Sequence, residues 1–212
     1  MQRKFTMINE IFNPILKDRL TLLRRKETPS KIFRQTVEEI ATFMTYEVAK
    51  NFKLKEIEIE TPIKKCKAKV LAEEFVIVPI LRAGLGMVSG ALKVLPNAAV
   101  GFIGLVRDET THQPIEYYKK LPPNISGKKI IVIDPMLATG GSSSAALQML
   151  KNDGAKDIVF VCIISAPEGI KKISEDHPEI PIYTAAIDER LNENAYIVPG
   201  LGDAGDRIFD TL

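Results

Sequence analysis

The residues best placed to do chemistry lie in segment 130–142, IIVIDPMLATGGS. One carboxylate, Asp134, stands where an unbroken apolar run ends, and Thr139, Gly140, Gly141 and Ser142 then form a small-residue turn that opens into SSAALQML. Ile130 to Ile133 are β-branched without polar alternation, as expected of a parallel strand covered on both faces, while Ala145, Ala146, Leu147, Met149 and Leu150 favour helix. Gly140 and Gly141 let bare backbone approach a ligand, and Ser142, Ser143 and Ser144 are expected to cap the helix while its first N–H groups point outward. Strand, turn and helix in this order bind a phosphate monoester. Asp134, at the carboxyl end of the strand where open α/β sheets bind ligands, is placed to accept hydrogen bonds from ribose hydroxyls. Phosphate plus ribose points to a nucleotide or a sugar phosphate.

Three other regions carry candidate residues. Arg82 and Arg107 each stand at the end of an apolar stretch that reads as a strand. A helix terminus contributes only about 0.3–1 kcal/mol toward a nearby anion, whereas a charge-assisted arginine contact contributes about 1.5–3 kcal/mol, so a multiply charged ligand needs such side chains. A structural salt bridge is the ordinary alternative for either arginine alone. Near the carboxyl terminus, residues 200–205 (GLGDAG) satisfy the dinucleotide-loop spacing but follow Pro199 and leave only residues 206–212 behind them, too few for a βαβ unit. Their N–H and C=O groups suit the edge of a planar base. Asp203 within this loop is a partner for a substrate-bound Mg²⁺ or its waters, because Mg²⁺ uses one or two carboxylates plus substrate phosphates. A simple Asx turn is the alternative. Gly84, Gly86 and Gly90 also imitate a dinucleotide fingerprint, with the third glycine one place late and Arg82 where bare backbone belongs, so a dinucleotide-dependent oxidoreductase is a weaker reading. The chain has no GxxxxGK[ST] loop.

Segment 130–142 resembles the type I phosphoribosyltransferase signature of four apolar residues, two acids, two variable positions and Ala/Ser-Thr-Gly-Gly-Ser/Thr. Pro135 replaces the second acid, and the uracil phosphoribosyltransferase branch carries this same DPMLATGGS form, so the departure narrows the resemblance. Segments 79–87 (PILRAGLGM), 104–109 (GLVRDE), 116–122 (EYYKKLP) and 196–207 (YIVPGLGDAGDR) resemble that branch too, in family order. Together they cover most of residues 75–209, while the amino-terminal third matches loosely, at LTLLRRKET and TYEV.

The resemblance implies a glycosyltransferase joining uracil to 5-phospho-α-D-ribose 1-diphosphate, giving UMP and diphosphate in pyrimidine salvage. It also implies roles. Thr139, Gly140, Gly141 and Ser142, approached through Pro135, Met136, Leu137 and Ala138, hold the 5′-phosphate, and Asp134 holds the ribose. Arg82 and Arg107 contact the diphosphate with Mg²⁺, which Asp203 reaches directly or through water. The backbone of Ile197, Gly202, Asp203 and Ala204 meets uracil. Arg107, Asp134 and Asp203 are the expected catalytic residues, and the absence of an obvious covalent nucleophile leaves positioning and electrostatics as the means. The resemblance admits GTP as an allosteric effector and, with the amphipathic amino-terminal helix described below, implies at least a dimer. A phosphoribosyltransferase-like regulator that binds RNA is the non-enzymatic alternative; a net charge of +2 and the retained base loop argue against it.

The elements that must position these residues follow from the pattern. From residue 75 the chain alternates strand 75–81, helix 86–95, strand 99–106, strand 129–134, helix 142–151, strand 157–164, helix 168–174 and strand 182–187, which is an α/β doubly wound parallel sheet. The polar insert 108–128, with Tyr117 and Tyr118, reads as a β-arm or lid, and the resemblance implies that it closes over substrate. Ahead of the sheet, residues 28–50 place Ile32, Phe33, Val37, Ile40, Phe43, Met44 and Val48 at helical spacing. EIEIE (56–60) and KCKAK (65–69) form a hairpin whose acids face lysines. Residues 1–72 thus read as a helical and hairpin region packed on the core of a single domain spanning 1–212.

A 212-residue chain buries roughly 70% of its unfolded surface, enough for one core without staples. Its 45% apolar and 26% charged content is that of an ordinary soluble protein, its net charge of +2 gives no case for a nucleic-acid or membrane partner, and no apolar stretch reaches the about 18 residues of a membrane span. With no secretory signal at residues 1–13, a cytoplasmic location is expected. Cys66 and Cys162 lack metal-ligand spacing, and Cys162, inside IVFVCII, is expected as a buried reduced thiol. His112 and His177 are expected in surface loops.

Overall fold

A computed structural model describes residues 8–107 and 114–211. In chain order its elements are β1 (Ile8–Glu10), α1 (Pro14–Arg24), α2 (Ser30–Ala49), β2 (Leu54–Glu60), β3 (Lys65–Leu71), β4 (Phe75–Leu81), α3 (Leu85–Val94), β5 (Ala99–Val100), β6 (Phe102–Arg107) and β7 (Pro114–Lys120). There follow β8 (Lys129–Ile133), β9 (Met136–Leu137), α4 (Gly141–Asn152), β10 (Asp157–Ser165), α5 (Pro167–Asp176), β11 (Ile182–Ile187), β12 (Arg190–Leu191), β13 (Ile197–Val198) and α6 (Ala204–Phe209).

Alternation along the buried strands divides the core in two. In β4, Phe75 and Ile77 point into one layer while Val76, Val78 and Ile80 point into the other; in β8, Ile131 and Ile133 oppose Ile130 and Val132 in the same way. Both faces of these strands are therefore apolar, which is why they read as apolar runs without polar alternation. The first layer is closed by α1, α2, α3 and α6, through Leu16, Leu20, Phe33, Ile40, Met44, Met87 and Ile208. The second is closed by α4 and α5, through Ala146, Leu147, Leu150, Ile170 and Ile173.

Among the described residues the central sheet runs β1-β11-β10-β8-β4-β6-β7, with β5 beside β4 and β9 beside β10. Its ladders are parallel except the last, where β7 returns antiparallel to β6. This is the doubly wound α/β sheet expected from the sequence, with β4 and β11 at the expected bounds. The expected strand 99–106 is instead split into β5 and β6 around Gly101, where Leu121 and Pro122 press on the backbone. Residues 114–120 of the insert are a sheet-edge strand, and residues 108–113 lie outside the described ones.

The acidic and basic runs pair as β2 and β3, with Glu58 opposite Lys67, Glu60 opposite Lys65, and a Lys67–Glu56 ion pair at 2.8 Å. Gly86 and Gly90, part of the dinucleotide look-alike, lie in α3, where added side chains would meet Ile208 and the α2 backbone respectively, so helix packing accounts for them.

Candidate active site

The carboxyl ends of β8, β4 and β6, neighbours in the sheet, bring the sequence candidates to one edge. Beyond β8, Asp134 N–H donates to the Val161 carbonyl at 3.1 Å, and the Pro135 carbonyl accepts from Ile163 and Ile164 at 3.0 and 3.1 Å. Met136 and Leu137 pair with Ile164 and Ser165 as β9. Residues 134–137 are thus pinned to β10 before the chain turns through Ala138 and Thr139. Gly140 adopts the left-handed conformation at φ 81° and precedes the first residue of α4, while the Gly141 N–H lies 3.4 Å from the Thr139 hydroxyl.

The expected serine cap is not formed. Gly140 occupies the N-cap position with no side-chain bond to the helix end, and Ser144 is turned inward, its hydroxyl donating to Asp176 at 2.5 Å and lying 3.2 Å from His177 Nε2. A hydroxyl committed to α5 cannot also serve the α4 terminus. His177, expected in a surface loop, is 1% exposed and packs its ring against the Ser144 carbonyl at 3.0 Å. Burial pushes its pKa down from the ordinary histidine value, so the ring is neutral. His112 lies outside the described residues.

Gly169, in α5, escaped the sequence reading. A Cβ there would stand 2.5 Å from the Ala138 carbonyl and 2.8 Å from the Leu137 carbonyl, so a residue without a side chain is what allows the phosphate-type loop to rest on α5. A glycine inside an otherwise helical EGIKK was the available signal.

Asp134 is half-buried, and its carboxyl is pushed up to about 7, first by desolvation and then by the nearby Asp203 carboxylate, against the opposing pull of the Met136 N–H. Asp203 is the N-cap of α6 and accepts from the Asp206 N–H at 2.9 Å, so the Asx-type arrangement is present as well. Arg82 follows β4 and pairs with Asp206 at 3.1 Å, with the Thr211 hydroxyl at 3.5 Å. That aspartate is held below the ordinary carboxylate range chiefly by the Thr211 hydroxyl and next by Arg82. Arg107 ends β6, its backbone opposite Pro114; nothing of its side chain is described. A cleft of about 410 Å³ between these strands is lined by Leu81, Arg82, Leu105, Val106 and Tyr117. Cis peptides join Leu81 to Arg82 and Val198 to Pro199.

The carboxyl-terminal loop completes the edge. Ile197 is buried in β13, paired with Leu191 of β12. Gly202 is exposed at φ 77°, and Ala204 is buried at the start of α6, leaving its backbone as the part able to meet a ligand. Cys162 is a buried free thiol, pushed up to about 12 by burial, and belongs to the core. The three loops differ in the chemistry they suit. Small residues ahead of a helix start suit a phosphate, a carboxylate with an adjacent acid suits hydroxyls and a divalent cation, and a left-handed backbone turn suits a planar ring.

The uracil phosphoribosyltransferase family model matches residues 11–211. A uracil phosphoribosyltransferase of Clostridium tetani is 58% identical over 205 residues, covering 96% of this chain and 98% of its own, and one of Streptococcus mutans is 56% identical, covering 98% and 99%. The solved structure of the AQ2163 protein from Aquifex aeolicus superposes with a TM-score of 0.91 at 43% identity, over 97% of this chain and 99% of that one. A purine phosphoribosyltransferase from Pyrococcus horikoshii, at 16% identity and TM-score 0.52 over 73% of this chain and 84% of its own, shares the fold.

Proposed function

The chain belongs to the uracil phosphoribosyltransferase family, and from that premise we propose how its residues divide the transfer of a phosphoribosyl group to uracil, the UMP-forming step of pyrimidine salvage. The bond from the anomeric carbon to diphosphate breaks and a bond to the ring nitrogen of uracil forms, the nitrogen losing its proton. Positive charge develops on the ribose and negative charge accumulates on the departing diphosphate. The enzyme must hold three groups in register and stabilise those charges.

Residues 139–142, supported by 135–138, take the 5′-phosphate on backbone N–H groups. Asp134, when ionised, accepts from the ribose hydroxyls and faces the developing positive charge. Arg82 and Arg107 stabilise the diphosphate as it leaves. The backbone of Ile197 and of residues 202–204 meets the edge of uracil. A backbone donor matched to a uracil carbonyl would face the amino group of cytosine, and a donor left unpaired in a dry pocket costs about 1–3 kcal/mol, which favours uracil without a selective side chain.

The acid pair also fits Mg²⁺. Asp134 and Asp203 repel one another at the site edge, and a divalent cation would relieve that repulsion. With only two carboxylates here, substrate phosphates would have to complete the coordination of such a cation. Bound Mg²⁺ would neutralise and orient the diphosphate.

The family resemblance, with the amphipathic amino-terminal helix, supports at least a dimer and admits GTP as an effector, and a cytoplasmic location is proposed with them; no helix among the described residues is long and apolar enough to cross a membrane.

The observation that supports this division best is the place of Asp134, between the phosphate-type loop that follows it and the Asp203 loop whose charge it feels. The test is a panel of uracil, cytosine and hypoxanthine with 5-phospho-α-D-ribose 1-diphosphate, with Mg²⁺ and with chelator, following nucleotide formation. UMP from uracil with metal, and none with chelator, is expected. Equal use of cytosine, or undiminished turnover with chelator, would remove the base or the metal assignment respectively.

A further inference from the structure

The base loop is fastened from a part of the chain outside the site. Arg24, the last residue of α1, forks onto Asp188, with Nη1 to Oδ2 at 2.8 Å and Nη2 to Oδ1 at 2.5 Å. The same Nη1 donates to the Gly200 carbonyl at 2.8 Å, and the Gly200 N–H donates to Asp188 Oδ2 at 2.9 Å. Arg24, Asp188 and Gly200 therefore close a ring that engages both backbone polar groups of one loop residue. Asp188 is 8% exposed, so the guanidinium fork is what neutralises it away from water. Gly200 itself is held at φ 64° with no room for a Cβ against the Ile197 carbonyl.

One residue further on the pattern repeats from the other side. Arg207 donates to the Leu201 carbonyl at 2.8 Å and also to the carbonyls of Leu23 and Arg25, which flank Arg24, at 2.5 and 2.6 Å. Its guanidinium sits 4.2 Å from the centre of the Phe33 ring. The end of α1 and the base loop are thus bonded together through two arginines, Arg24 of α1 and Arg207 of α6.

A base read by backbone groups is selected by which of those groups are left to meet it. The carbonyls of Gly200 and Leu201 are both engaged by guanidinium and that of Asp203 by the Arg207 N–H at 3.1 Å, which leaves the backbone of Ile197 and Gly202 and the N–H groups of Asp203 and Ala204 as the polar edge. We propose that Arg24 is a positioning residue for base selection, fixing through Asp188 and Gly200 the peptide that leads into Gly202, so that α1 takes part in substrate specificity. The inference rests on the reading that residues 197 and 202–204 meet uracil.

Arg24→Lys keeps a positive charge beside Asp188 but lacks the fork that joins Asp188 and Gly200. Its uracil KM is expected to rise about tenfold, with the KM for 5-phospho-α-D-ribose 1-diphosphate and the melting temperature near the parental values. Asp188→Asn keeps an acceptor for the Gly200 N–H and weakens the hold on Arg24; a rise in uracil KM of about threefold is expected. A folded variant of either kind with parental uracil KM, or with both KM values raised equally, overturns the proposal. Should neither fold, amide exchange in the parent decides: UMP is expected to slow exchange at residues 22–26 along with 197–204, and no change at 22–26 overturns it. A parent enzyme that does not use uracil would instead overturn the base assignment, leaving the two failures distinct.

Discussion

Asp134 follows β8 and Asp203 caps α6, and the second raises the pKa of the first: with burial as the larger cause, the Asp134 carboxyl reaches about 7. The folded state therefore keeps a proton that the unfolded chain releases near pH 4, so this residue's contribution to stability is fullest below about pH 4 and is lost as pH rises through 7. Asp134→Asn removes that penalty. Because the carboxylate retains some solvent contact, the variant is expected to be more stable at pH 8 by on the order of 2 kcal/mol, the gain fading toward pH 4. Its affinity for 5-phospho-α-D-ribose 1-diphosphate should move the other way, since charge-assisted bonds are roughly twice as strong as neutral ones. Urea unfolding at the two pH values and calorimetry check both halves. Unchanged affinity would take Asp134 out of the site.

Arg82 is free to exchange partners at little cost. Its pair with Asp206 is open to solvent, the two side chains being 58% and 29% exposed, and water and salt screen such pairs until they add little to stability. A charge-assisted contact to a diphosphate contributes about 1.5–3 kcal/mol, so Arg82→Ala is expected to lower kcat/KM for 5-phospho-α-D-ribose 1-diphosphate about 10–100-fold. The melting temperature should move little. A large drop in melting temperature with parental kinetics would assign Arg82 to structure.

Why β4, β8 and β10 are legible in the sequence, while the role of Arg24 at the end of α1 and the surroundings of His177 are not, has a physical reason. A parallel strand covered on both faces must be apolar through its buried span, so FVIVPIL and the IVFVCII of β10 declare themselves. The Asp134 loop is equally legible, because close backbone approach restricts it to small residues. Helix α1 carries its own signals, Asn13 capping Ile15 with Pro14 beside it and Leu16, Leu20 and Leu23 at helical spacing. Their importance comes from Arg24, whose partners Asp188 and Gly200 are far away in the chain. His177 looks like a loop residue because its partners, Ser144 and Lys151, arrive from another helix. Polar clusters that depend on distant contacts leave no periodic trace.

Gly169 gives a test of how tightly the phosphate-type loop is seated. An alanine would place its Cβ 2.5 Å from the Ala138 carbonyl, and since that neighbour is backbone, the loop itself must shift. Overpacking of this kind costs about 1–3 kcal/mol. Gly169→Ala is expected to raise the KM for 5-phospho-α-D-ribose 1-diphosphate about tenfold, while the uracil KM changes less. Steady-state kinetics in both substrates, with a melting curve, measure this. If the variant is destabilised but its phosphoribosyl KM is parental, residues 138–142 do not carry the phosphate.

Gly202 supplies the matching test at the carboxyl-terminal loop. It lies at φ 77°, and a Cβ there would meet nothing nearer than Arg207 Cδ at 3.6 Å. Space is therefore available and the obstacle to a side chain is the backbone conformation, which β-branched residues strongly avoid and which costs about 1–2 kcal/mol even for a single residue. Gly202→Ala carries that strain with little added bulk; Gly202→Val adds bulk on the exposed side where the ring of uracil is proposed to lie. Both variants are expected to lose some stability. The valine variant should in addition raise the uracil KM about tenfold beyond the alanine variant, with affinity for 5-phospho-α-D-ribose 1-diphosphate little changed in either. Equal effects of the two substitutions on uracil would trace the loss to strain and a displaced loop. No effect of valine on uracil would put the base away from Gly202.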